Sequence, residues 1–161
     1  SCWCCKLSFV TKMKTHFNPK NNPRVIIIQK LYGKLFNEDD DLYFPKHRFK
    51  KFIKDIVEGT IERNDLILSE LDTRLGDEFV LGKLDKVFQI ILKAATYEFL
   101  YKPNVSINII IKEYLNSSNF FLEDSQTKYL NALLDNIGKK LRSNNAWIWV
   151  NTKIFFENIF K

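Results

Sequence analysis

The segment from Leu84 to Tyr101 constrains this chain more than any other, because it is apolar on nearly every side. Leu84, Val87, Phe88, Ile91, Ala95 and Phe99 recur at the three- and four-residue steps of one helix face, and further apolar residues fill the flanks. A helix that is apolar all round belongs at the centre of a bundle, where neighbours cover it. No run in the chain approaches the roughly 18 apolar residues expected of a membrane span. The cover must therefore come from other helices of the same chain.

Candidates for that cover lie on both sides. Between Arg24 and Phe36, Ile28, Leu31, Tyr32 and Leu35 form one stripe, and Pro23 can open the helix. Pro45 introduces a second segment with Phe49, Phe52, Ile53, Ile56 and Val57 on one face and Lys50, Lys51 and Lys54 on the other, continuing past Gly59 through Ile61. A short helix over Leu66 to Leu75 is predicted to stop at Gly76, and Gly82 marks the boundary before the central helix. Beyond Pro103, Ser106 can cap a helix carrying Ile107, Ile110, Ile111, Tyr114 and Leu115. A last helix over Asp124 to Leu141 turns Tyr129, Leu130, Leu133, Leu134 and Ile137 inward and gathers Lys139, Lys140 and Arg142 near its negative end.

The β-branched runs Val25 to Ile28 and Ile107 to Ile111 suit strands by propensity alone. Each extends into a three-and-four pattern without a hairpin turn, so the helical reading is kept. With 161 residues, 45% of them hydrophobic, the chain can bury one sizeable core. The expectation is an all-α domain of six or seven helices.

Chemistry is sparsely represented. Of the two histidines, His16 lies in a polar arm and His47 between Lys46 and Arg48, positions suited to a solvated basic patch rather than to a general base. No phosphate-binding loop, zinc-protease or nucleophile-elbow pattern occurs. The acidic loop Glu38 to Asp41 lacks the glycine and ligand spacing of a calcium loop, and the acids at Asp77, Glu78, Glu123 and Asp124 stand where helices are expected to start. An enzyme is not expected, nor a metal or other cofactor.

Cys2, Cys4 and Cys5 crowd the first five residues and leave no thiol in the body of the chain, which suits a reducing compartment and cytoplasmic residence. Residues 1–12, ahead of the single methionine Met13, read as an extension that is disordered or not native to the fold. Residues 13–23 read as a basic arm.

Twenty-five basic against 19 acidic residues give a net charge of +6, which favours an anionic partner. The excess is clustered: five Lys or Arg and no acid between Thr11 and Lys30, and five more with none between Lys46 and Lys54. Such clusters can neutralise phosphates or can simply be solvated helix faces. Gln29 and Tyr32, on the helix that follows the first cluster, add the amide and ring with which single-stranded RNA is read, although Tyr32 also fits a core position with a wet hydroxyl.

Three ordered motifs carry a resemblance to a known family. Leu92-Lys93-Ala94-Ala95-Thr96-Tyr97-Glu98-Phe99, ahead of Pro103-Asn104-Val105, resembles the NusB pattern L-R-x-x-A-Y-E-L followed by P-D-V. Tyr129-Leu130-Asn131-Ala132-Leu133-Leu134-Asp135 resembles F-V-N-G-V-L-D, and Arg24 with Gln29-Lys30-Leu31-Tyr32 resembles R-x-x-x-x-Q-A-L-Y. Together they cover most of Lys20 to Arg142, so residues 24–142 are read as the NusB-like domain.

The resemblance implies about seven helices in two small helical subdomains. It also implies a transcription antitermination factor that binds boxA-type single-stranded RNA with the ribosomal protein NusE, acts on the transcription elongation complex and supports rRNA transcription. Carried over by position, Lys20 and Arg24 match the basic arm, Gln29 and Lys93 match polar positions near the RNA surface, and Lys12 and Lys14 can compensate for Asn21 and Asn22 where many members have arginine. The double variant Lys20→Glu with Arg24→Glu is expected to abolish RNA binding and leave helicity intact.

Tyr32 matches the NusE interface, where an acid on the central helix usually assists; Phe88 holds that position here, and Asp85, one turn earlier, is the substitute. Asp124 and Tyr129 match positions that influence RNA or partner binding. The alternative is a protein-binding adaptor of the same fold with little specific RNA binding. Residues 143–161 form an apolar tail outside the family pattern, read as an added packed element or as a contact with a partner or membrane surface.

Overall fold

In the computed structural model, residues 21–38, 42–76, 79–142 and Ile159 are described. The cysteines, His16, Lys14, Lys20, Asp39 to Asp41, Asp77, Glu78 and the tail apart from Ile159 lie outside them. Six α-helices occur among the described residues: α1 (Pro23–Phe36), α2 (Lys50–Glu62), α3 (Asn64–Leu75), α4 (Lys86–Tyr101), α5 (Ile107–Ser118) and α6 (Asp124–Leu141). A 3-10 turn, Leu81–Lys83, precedes α4.

The helix α4 is central, packing against each of the other five. Ile91, Leu92, Ala94, Ala95 and Phe99 are inaccessible to solvent. Two of its polar residues are satisfied within the helix or at its start: Thr96 Oγ1 donates to the Leu92 carbonyl at 2.7 Å, and Gln89 Nε2 to the Leu84 carbonyl at 2.8 Å. Side chains from both helix groups, α1 to α3 and α5 to α6, join around α4 in one hydrophobic cluster. The two expected subdomains thus share a core.

Caps explain where the helices begin and end. The Asn22 side chain accepts from the Arg24 and Val25 amides at 2.9 and 3.4 Å ahead of Pro23, and Asp85 accepts from Val87 at 2.9 Å. Ser106 receives the Ile109 amide at 3.3 Å, and the Glu123 amide donates to Gln126 at 3.1 Å. Gly76, at φ 80°, stops α3 in a conformation costly for a residue with a Cβ.

Three expected core positions are corrected. Leu35 is 48% exposed, because α1 buries Val25, Ile27, Ile28 and Leu31 instead. A run of four consecutive β-branched residues defines no unique face, and Arg24 turns inward beside it. Phe49 is 43% exposed: its amide donates to His47 Nδ1 at 3.0 Å in a turn ahead of α2, so it precedes the helical stripe. Tyr129, at 46% exposure, caps the edge of the core rather than entering it.

The α2–α4 approach depends on Gly59. A Cβ at this position would lie 2.2 Å from the Tyr97 ring, so a side chain fits only if the ring or the helices shift. Across the same contact the Tyr97 hydroxyl donates to Asp55 at 3.3 Å. Burial, reinforced by the Asp55 carboxylate, pushes the ionisation of that hydroxyl well up.

Cations near the end of α6 reach beyond their own helix. Arg142 Nη2 and Nε donate to the carbonyls of Lys102 and Phe99 at 2.8 and 3.1 Å, and Nη1 reaches Val105. The guanidinium thereby satisfies open carbonyls at the negative end of α4. Lys140 does the same for α3, donating to the Arg74 carbonyl at 2.6 Å.

Candidate nucleic-acid interface

The helices α1 and α2 lie side by side, with their first turns at the same end and α4 packed against both. The polar residues expected to act together consequently fall at two ends of α1.

At the first end Arg24 is buried. Its Nη2 and Nε contact the two Glu98 carboxylate oxygens at 2.7 and 3.2 Å, while the rings of Phe52 and Tyr114 lie 5.2 and 5.3 Å from the guanidinium carbon. Glu98 is fully buried on α4 and needs this positive partner. Burial alone would lower the Arg24 pKa, but the Glu98 carboxylate reverses the balance and raises it. The expectation that Arg24 belongs to an exposed RNA-binding arm is therefore corrected: the guanidinium is committed to the core. Arg24→Glu would set a second carboxylate against Glu98, so the double variant with Lys20 would also disturb the fold.

Asn22, at a position where the resemblance leads one to expect arginine, is 5% exposed and caps α1. Glu98 was the available signal for this arrangement. An acid among the apolar residues at the end of the central helix requires a buried cation, and Arg24 begins the helix that follows the first basic cluster.

At the second end, Lys93 of α4 joins Leu31, Lys34 and Leu35 of α1, Ile61 of α2 and Ile90 of α4 around a cleft of about 410 Å³. Lys93 is half-buried and has no acidic partner among the described residues. Burial, with Lys86 adding repulsion, lowers its pKa. Lys34 donates to the Glu38 carbonyl, and Lys30 lies 5.8 Å from the exposed Tyr43 ring. Glu38, Thr60 and Asn64 complete the lining, so the cleft sets two lysines and one acid beside apolar walls, with room for a phosphate at Lys93. Gln29 is partly buried but on the opposite side of α1 from Leu31 and Lys34, so it does not join Lys93.

The expected partner residues fall into separate groups. Tyr129 packs on Phe88, ring centroids 5.6 Å apart, and Phe88 is 2% exposed. Asp85, one turn earlier, is exposed but uses one carboxylate oxygen to cap α4. Asp124 is exposed in the first turn of α6. Tyr32 is half-buried with its ring 4.8 Å from Phe36, which is 70% exposed. The structure brings Phe88 and Tyr129 together, with Asp85 one turn before Phe88 at the start of α4, and Tyr32 marks another position on α1.

Among the described residues, no group of three or more His, Cys, Asp or Glu could hold a metal ion, and no helix is long and apolar enough to cross a membrane. Fold and site define the class: among the described residues, an all-helical bundle around one central helix, with a lysine-bearing, largely apolar cleft on its surface.

Comparison with known proteins places this bundle. The sequence model described as the NusB family matches residues 21–139, and the chain belongs to the NusB family. Curated relatives named transcription antitermination protein NusB include one from Sphingopyxis alaskensis, 33% identical over 91 residues, covering 56% of this chain and 61% of the relative. One from Sinorhizobium fredii is 30% identical over 114 residues, covering 71% of this chain and 66% of the relative. The chain thus spans a little over three-fifths of the length of these relatives. The solved structure of T. maritima NusB shares the fold, with a TM-score of 0.67 and 22% identity, covering 81% of this chain and 97% of that one.

Proposed function

We propose that this chain is an RNA-binding transcription antitermination factor of the cytoplasm. In this reading it binds boxA-type RNA together with ribosomal protein NusE, joins the transcription elongation complex and supports rRNA transcription. The observation that carries the reading is family membership across residues 21–139, among relatives named for transcription antitermination. The cleft at Lys93 supports it, because a cation without an acidic partner beside apolar walls can receive RNA at little cost in broken ion pairs.

Lys93, with Lys14 and Lys20 preceding α1, is assigned to RNA; Gln29 is assigned to its flank. Tyr32, Asp85, Asp124 and Tyr129 are assigned to the protein partner. The decisive experiment measures binding to a boxA-like RNA and a scrambled control, with and without NusE, at two salt concentrations. Selective binding strengthened by NusE is expected. Equal, weak binding to both RNAs that NusE does not change would reject the reading.

A second reading, a protein-binding adaptor of the same fold, is favoured by the commitment of Arg24 to Glu98 and of Asn22 to a helix cap. Both remove side chains from the surface where phosphates would be held. This reading predicts NusE binding without RNA selectivity.

A further inference from the structure

The second basic cluster, Lys46 to Lys54, lies outside the Lys93 cleft. Lys46, Arg48, Lys50, Lys51 and Lys54 are all exposed. Among the described residues only Lys54 of these has an ion pair, and that contact, to Glu58, is 3.9 Å between two exposed side chains. Lys50 and Lys51 occupy the first turn of α2, which contains no acid and whose start has no side-chain cap. Cations there oppose the positive end of the helix, an arrangement that costs the fold stability and that bound anions would offset.

Aromatic side chains interleave with these charges. Phe49 is 43% exposed, with the Arg48 guanidinium carbon 5.3 Å from its ring centroid and the His47 ring 6.0 Å away. The His47 Nδ1 acceptor holds the Phe49 amide, so the turn that presents the ring is braced. Beside the ring, Arg48, Lys51, Phe52 and Lys54 line an open cleft of about 760 Å³. Asp55 at its edge is occupied by Lys102 and by the Tyr97 hydroxyl.

We propose that the Lys46–Lys54 ridge is a second binding surface for single-stranded RNA, with Arg48, Lys50 and Lys51 neutralising phosphates and Phe49 stacking on a base. Single-stranded nucleic acid fits this surface because it combines regularly spaced anions with exposed ring faces. Phe52 places the cleft at the first turn of α1, next to Arg24, whereas Lys34 and Lys93 lie towards the opposite end. The separation along α1 from residue 24 to residue 34 is ~15 Å at the rise of an α-helix. An RNA held at Lys93 therefore reaches the ridge only through nucleotides that flank the held segment. The inference rests on the RNA-binding reading and assigns the flanking sequence a place.

The test compares a short boxA-like RNA with the same RNA extended by about eight nucleotides at either end, and scrambled versions of both. The proteins are wild type, Arg48→Gln/Lys50→Gln/Lys51→Gln, and Phe49→Ala, each verified by circular dichroism melting. Extension should tighten wild-type binding at least tenfold, and the triple variant should lose that gain while retaining short-RNA affinity. Loss of three phosphate contacts should also flatten the slope of log affinity against log salt by about 2 for single-stranded RNA. Phe49→Ala should lose about tenfold on extended RNA alone.

An unchanged triple variant on extended RNA would overturn the ridge assignment and leave the Lys93 reading intact. Loss of preference for boxA-like over scrambled RNA, with the extension effect retained, would overturn the antitermination reading and leave the ridge intact. Charge-dependent binding of the wild type to phosphatidylglycerol vesicles, lost in the triple variant while its RNA affinity is unchanged, would assign the ridge to a membrane surface and overturn the proposal.

Discussion

Arg24 and Lys93 both carry positive charge beside α4, yet their surroundings give them opposite roles. Arg24 is held by Glu98, so Glu98→Ala leaves a buried guanidinium without its partner and should destabilise the fold by about 3–5 kcal/mol, read by urea unfolding. Lys93 has no such partner, and its folded-state pKa lies below the ordinary lysine value. The unfolded chain consequently binds its proton more tightly, so protonation of Lys93 opposes folding at neutral pH. Stability should rise as pH increases from the folded pKa towards the unfolded one. Lys93→Met removes the opposition: a gain on the order of 0.5 kcal/mol is expected, small because the side chain remains half in water, together with weaker RNA binding. A melting curve and an RNA titration on one preparation check both effects, and a loss of stability with unchanged RNA affinity would contradict the assignment. Tyr114 provides a third case. Its hydroxyl is buried against the Arg24–Glu98 pair but outside hydrogen-bond geometry among the described residues. Tyr114→Phe should therefore leave stability unchanged or raise it by up to about 1 kcal/mol in thermal unfolding.

Among the elements, α2 and α6 each have one contact that sets their position against α4. Gly59→Ala drives a methyl group into the Tyr97 ring and should cost about 1–3 kcal/mol in chemical denaturation; no loss would mean that the ring moves aside and that Gly59 does not set the helix approach. Arg142→Ala exposes the carbonyls at the end of α4 and should increase amide hydrogen exchange in the turn around Lys102 to Val105 before it affects α1. Helix ends were largely legible in the residues themselves, because Pro23, Gly76, Pro103 and Ser106 act locally through backbone geometry and short hydrogen bonds. The target of Arg142 was not. Its charge suited the end of its own helix, and only the packing of α6 on α4 directs it to the carbonyls of another.

Over the whole molecule, the two cationic surfaces at opposite ends of α1 govern how affinity should respond to salt. RNA binding should weaken steeply with ionic strength, and the Arg48→Gln/Lys50→Gln/Lys51→Gln variant should weaken less steeply on long RNA. The amino-acid sequence by itself determined the helical class, the central place of the Leu84 to Tyr101 segment and the family. These depend on periodicity, local breakers and packing motifs, all of which act between residues close along the chain. Tertiary structure alone decided which charges are available. It buried Arg24 against a glutamate 74 positions away, set Phe88 beneath Tyr129, turned Gln29 away from Lys93 and left the Lys46–Lys54 ridge exposed. Whether a charged side chain meets water, an opposite charge or a ring depends on what folding brings beside it, and spacing along the chain carries no record of that.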